Sequence, residues 1–167
     1  LDLSAKRVER SAEADGDLVR VSVEQEAEAV IAGRVVPFPP AEPVEKLYVA
    51  LDGTGVPTVP RDTAGRRGKG PDGRARTREA KLGCLFTQVG LDERGRPVRD
   101  PNSSGYVATL EAAERFGSLV YAEARRRGVD RARGVIVLGD GAPWIWNLAA
   151  EHFPGAIEIV DLYHARQ

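Results

Sequence analysis

The chain has 167 residues, 42% of them hydrophobic, which is enough for one domain with a real core. Its 24 Lys/Arg and 25 Asp/Glu give a formal net charge of −1, so there is no global electrostatic footprint for nucleic acid. The lone Cys84 excludes an intramolecular disulfide framework and a Cys-rich zinc site and fits a cytoplasmic protein, no apolar stretch approaches the ~20 residues of a membrane span, and no signal-peptide pattern opens the chain.

Residues 4–15 are charged and weakly periodic, Leu18 to Val23 alternates and reads as a strand, and Glu24 to Ala32 reads as a short acidic helix stopped near Gly33. Val35 to Pro43 contains Pro37, Pro39, Pro40 and Pro43; fixed φ and missing N–H donors make it an extended linker. The chain therefore divides into an N-terminal helical and linker segment, 1–44, Pro-rich at 37–43, and a catalytic-type core, 45–167. The absence of Met, the start at Leu1 and the end soon after a strand-like run indicate a fragment of a longer protein, truncated at the C-terminus.

In the core, Leu47 to Leu51 is a short apolar run that predicts a buried strand ending at Asp52. Residues 56–78 are rich in Pro, Gly and Arg without hydrophobic periodicity, which predicts a long loop. Glu79 to Gln88 predicts a second strand with Leu82, Cys84 and Phe86 on one face. Asp92 to Gly95 predicts a turn, and Arg96 to Arg99 the start of a third strand. Tyr106 to Arg127 has helical spacing and stops at Gly128. A strand at Val135–Leu138, a helix opened by Pro143 and broken at Phe153-Pro154-Gly155, and a strand at Ile157–Asp161 follow. The order β-β-β-α-β-α-β, three strands able to form a meander and then alternating helices and strands, predicts an α/β fold: an RNase H-like mixed sheet flanked by helices.

Two aspartates carry the chemistry. Asp52 and Asp140 each follow an apolar run and precede glycine, in Asp52-Gly53-Thr54-Gly55 and Asp140-Gly141-Ala142. Carboxylates at strand ends sit at the rim of a sheet, where α/β proteins bind ligands, and two on neighbouring strands can share Mg²⁺ (or Mn²⁺), which keeps several waters and needs few protein ligands. The plainer reading is two turn aspartates, since Asp-Gly is a common turn pair. Charge is also uneven: residues 1–45 hold five Lys/Arg and ten Asp/Glu, residues 61–81 eight and three. Arg66, Arg67, Lys69, Arg74, Arg76 and Arg78 form a local basic segment suited to DNA phosphates, against the reading of a solvated loop. Trp144 and Trp146, two apart on a helix, cannot share a face, and core or interface packing suits both.

The runs Tyr48 to Pro57, Thr77 to Cys84 and Leu138 to Asn147, followed by His152 to Ala156 and Val160 to His164, stand in an order that resembles bacterial insertion-sequence transposases of the Kra type, relatives of the Mutator-like branch of DDE transposases. The resemblance covers about residues 45 to 167. It implies metal-dependent DNA cleavage and strand transfer, transposon-end and target DNA as partners, a homo-oligomer on DNA, and a catalytic set of two Asp and a Glu. Asp52 and Asp140 match the two Asp. The Glu of the family lies beyond Gln167, which makes the isolated chain a candidate inactive core; Glu79, Glu111 and Glu151 stay open as substitutes. Where the Mutator-like branch often carries a Cys and a His, this sequence has Asp161 and His164, which gives no support for zinc. Asp161 is read first as a helix N-cap and second as an auxiliary carboxylate, and His164 first as structural and second as a residue near the site.

Two other classes are weaker. A phosphatase of the haloacid-dehalogenase type needs a nucleophilic Asp two residues before the second one, and Ala50 stands where Asp52 would require it. A sugar-kinase-like fold needs a second phosphate loop that is not visible. An inactive transposase remnant, or another RNase H-like nuclease or phosphotransferase, remains the alternative function.

Overall fold

Leu47, Val49 and Leu51 are buried while Tyr48 and Ala50 are partly covered and Asp52 is exposed, so the first core strand has two unlike faces. That alternation organises the molecule. The computed structural model describes residues 4–34, 43–68 and 71–161. In chain order these form helix α1 (Ala5–Ile31), strands β1 (Lys46–Pro57), β2 (Thr77–Phe86), β3 (Gln88–Leu91), β4 (Pro97–Arg99) and β5 (Gly105–Thr109), helix α2 (Ala113–Arg126), β6 (Gly134–Gly139), α3 (Pro143–His152) and β7 (Ile157–Val160).

Among the described residues, five strands make one mixed sheet in the order β5-β2-β1-β6-β7, and β3 and β4 make a separate two-stranded ribbon. β1 pairs antiparallel with β2, and β2 with β5, whereas β1–β6 and β6–β7 are parallel. The chain is thus α/β with a mixed sheet and packed helices. Helices α2 and α3 cover one face. Leu47, Val49, Leu51, Leu85, Val107 and Val137 of the sheet meet Phe116, Leu119 and Val120 of α2 and Ile145 and Leu148 of α3 in one core. α2 ends at Gly128, whose φ of 78° is left-handed backbone that glycine adopts without the Cβ clash. Among the described residues, no helix is long and apolar enough to cross a membrane.

Four expectations are corrected. Leu18–Val23 is not a strand but lies inside α1, because no partner strand is at hand and a helix satisfies its own backbone groups. Only the end of α1 docks: Ala27 and Val30 are buried, and Glu28 and Glu26 pair with Arg115 and Arg126 of α2 at 3.3 and 3.4 Å. The predicted helix over Tyr106–Arg127 begins only at Ala113; Gly105–Thr109 instead pairs with Lys81–Leu85 as β5, its Tyr, Val and Thr being good strand formers beside an open edge. The third strand of the meander is therefore β5, and Pro97–Arg99 belongs to the ribbon, closed by Asp92, which accepts from the backbone N–H of Arg94 and Arg96. The expected loop over 56–78 is shorter, since β1 and β2 stay paired out to Pro57 and Thr77. Pro37, Pro39 and Pro40 of the expected linker, Lys69 and His164 lie outside the described residues.

Candidate metal and phosphate site

The parallel register pairs Ala50 of β1 with Leu138 of β6, so Asp52 and Asp140 stand at equivalent positions two residues further on, on adjacent strands spaced about 4.8 Å. Both line one cavity of about 380 Å³, with Ala50, Leu82, Cys84, Tyr106, Ala108 and Leu138, on the sheet face opposite α2 and α3. Asp52 is exposed; one of its oxygens, Oδ1, accepts from the Gly53 N–H at 2.7 Å. Asp140 is half-buried, and its Oδ1 accepts from the Ala142 N–H at 2.9 Å, which fixes the turn into α3. Among the described residues no protein donor engages the second oxygen of either carboxylate.

The third strand end in this row carries Asp161. Its N–H donates to Gly139 O at 2.7 Å, extending the β6–β7 ladder, and its side chain lines the same cavity. The helix N-cap expected at Asp161 would open onto residues that lie outside the described ones. The sequence signal for the cavity position is a third apolar run ending in Asp, Ile157 to Asp161. Among the described residues no group of three or more His, Cys, Asp or Glu converges closely enough to hold an ion. Glu79 and Glu111 do not line the cavity, and Glu151 belongs to a different one, beside Trp144 and His152. The carboxylates that could hold a divalent ion are therefore Asp52 and Asp140 alone, a pair that would leave most of the ion's ligands to water, and Asp161 lines the same cavity.

Beyond Asp52, β1 continues five residues to Pro57, roughly 17 Å at about 3.4 Å per residue, so the β1–β2 arm projects past the rim. Its tip holds a 3₁₀ turn at Pro60–Thr63 and an isolated antiparallel bridge between Arg67 and Arg74. Arg66, Arg74 and Arg76 line a second cavity of about 760 Å³ with Thr58, Thr63 and Asp72. Asp72 pairs with Arg76 at 3.3 Å and accepts from the Arg74 N–H at 3.2 Å; that backbone bond, with the Arg76 charge, holds its carboxyl below the usual range. Arg78 is separate from this group: half-buried in β2, it donates to Leu110 O at 2.8 Å and ties the arm to the start of α2.

Trp144 packs edge-on to Phe116 with ring centroids 5.7 Å apart, and Trp146 lies partly buried against the core. No family model matches the chain, and neither a curated protein nor a solved structure does.

Proposed function

We propose that this chain is the RNase H-like catalytic core of a DDE-type DNA transposase, which acts on transposon-end and target DNA by phosphoryl transfer and works as a homo-oligomer on DNA. The observation that carries the reading is that Asp52, inside β1 just past the point where its parallel pairing with β6 stops, and Asp140, just past the end of β6, line one cavity. The strand order, a three-strand antiparallel half joined to a parallel half, supports it.

In this reading Asp52 and Asp140 hold Mg²⁺ or Mn²⁺ with the oxygens that the Gly53 and Ala142 N–H groups leave free. Bound there, the metal supplies an activated oxygen nucleophile and stabilisation of the leaving oxygen. The protein's own contribution is placement. The N–H groups of Gly53 and Ala142 fix the two carboxylates, and Leu82, Tyr106 and Leu138 line the cavity beside them. Arg66, Arg74 and Arg76 at the arm tip contact backbone phosphates, a favourable and sequence-independent interaction.

Titration calorimetry with Mn²⁺ on the parent chain, Asp52→Asn and Asp140→Asn tests the site. Both substitutions are expected to abolish binding while the far-UV spectrum stays unchanged. Undiminished binding in either variant excludes that carboxylate as a ligand. A nicking assay on duplex DNA then separates an active core from an inactive remnant.

A further inference from the structure

On the helix side of the sheet, under the carboxylate rim, lies a buried cation that the metal site does not use. Lys81 of β2 is 7% exposed. Its Nζ stands 2.8 Å from Glu79 Oε2, donates to Glu111 O at 3.2 Å, and lies 5.8 Å from the centre of the Trp144 ring. A lysine so covered needs a paired charge, and Glu79 supplies it. The cluster reaches both aspartates through the backbone. Lys81 pairs in register with Gly53, the residue after Asp52. A Cβ at Gly53 would stand 2.8 Å from Glu79 Oε1 and 3.3 Å from Trp144 Cζ2, so the side-chain-free Gly53 lets Glu79 and Trp144 close against β1 there. Trp144 is the second residue of α3 and follows the turn fixed by Asp140.

We propose that Glu79 and Lys81 are positioning residues: the pair of buried Lys81 and half-exposed Glu79, seated on Trp144, sets the spacing between the Asp52 segment of β1 and the Asp140 turn, and so the affinity of the rim for a divalent ion. The inference rests on the metal-site reading above. It also takes Glu79 out of the set of substitute ligands, because its carboxylate is committed to Lys81 on the opposite side of the sheet from the cavity.

The test uses Mn²⁺ alone as probe on the whole chain, with affinity from calorimetry and the environment of the ion from its paramagnetic resonance spectrum. Lys81→Met and Glu79→Gln are expected to weaken Mn²⁺ binding by about tenfold or more, the scale seen when groups that orient metal ligands are removed, and to broaden the spectrum. Lys81→Arg, which keeps the charge, is expected to restore most of the affinity. Should Glu79→Gln fail to fold because it leaves the buried Lys81 unpaired, the double variant Glu79→Gln/Lys81→Met, which leaves no unpaired buried charge, is read in its place, and weakened binding is again expected. Parent-like affinity and spectrum in the folded single or double variants overturn the positioning role and leave the metal site standing. No Mn²⁺ binding by the parent overturns both.

Discussion

At the scale of single residues, the legible feature is an aspartate following an apolar run, and the illegible one is the close approach that a missing side chain permits. Asp52 and Asp140 stand out because strand, carboxylate and glycine are consecutive in the chain. The Gly117–His152 contact is not consecutive and leaves no local trace. A Cβ at Gly117 would lie 2.7 Å from His152 Nε2, so the bare α2 backbone is what lets the imidazole stack on Tyr121 at 5.5 Å and sit beside Phe153. Gly117→Ala is expected to cost about 1–3 kcal/mol through overpacking, read as a shift of the urea midpoint at constant slope. Burial pushes the His152 pKa below its ordinary 6.5, and the neighbouring Glu151 carboxylate, 4.0 Å away, only partly opposes this. The folded state therefore binds fewer protons than the unfolded state. This contribution is complete above about pH 6.5 and is lost as pH falls through the depressed value. Thermal unfolding between pH 7.5 and 5 should show a loss of stability that His152→Gln reduces; an identical loss in both proteins would remove His152 as its source.

At the scale of elements, local pattern matches the structure where the chain itself decides and departs from it where a neighbour decides. β6, α3 and β7 lie close to the positions their apolar runs predict, whereas β1 starts where expected and runs five residues past its expected end at Asp52, to Pro57, because β2 stays paired with it. Gly105–Thr109 has residues that satisfy either period, and the open edge of β2 selects the strand. Leu18–Val23 alternates as a strand would, yet without a partner it is carried into α1, where Leu18 remains 71% exposed. That difference between the two ends of α1 is measurable. Val30→Ala, at a position 1% exposed against α2, is expected to cost about 1–3 kcal/mol, whereas Leu18→Ala should stay within about 0.5 kcal/mol of the parent. The β1–β2 arm makes a second element-scale prediction. If Arg66, Arg74 and Arg76 each neutralise one phosphate, their joint replacement by Ala weakens duplex binding and makes the slope of log K against log salt shallower by about 3. An unchanged salt slope in a filter-binding or anisotropy titration would show that the arm does not touch the backbone.

At the scale of the molecule, the two faces of the sheet are unequal, and the candidate site opens on the poorer-covered one. α2 and α3 pack on one face and bury Phe116, Val120 and Ile145 there. On the other, the ribbon covers one end: Arg99 lies 3.7 Å over the Phe86 ring, Phe86 stacks on Tyr48 at 5.1 Å, and the Tyr48 hydroxyl donates to Gln88 at 2.8 Å. The remainder, among the described residues, exposes Leu82, Tyr106, Ile157 and Ile159, with Tyr106 at 74%. Parallel pairs such as β1–β6–β7 are normally covered on both sides, so this apolar surface departs from the usual pattern and was not foreseeable from strands that look alike in sequence on both faces. Its consequence is a separation of stability from surface behaviour. Phe116→Ala removes a ring from the covered face and should cost about 3–5 kcal/mol. Tyr106→Lys with Ile159→Lys alters only the exposed face and should leave the unfolding midpoint within a few degrees of the parent while lowering the fluorescence of a bound apolar dye such as anilinonaphthalene sulfonate. A parent that binds no dye, or a double variant that unfolds as readily as Phe116→Ala, would mean that this face is already packed in solution, and the cavity holding Asp52 and Asp140 would then be closed on that side.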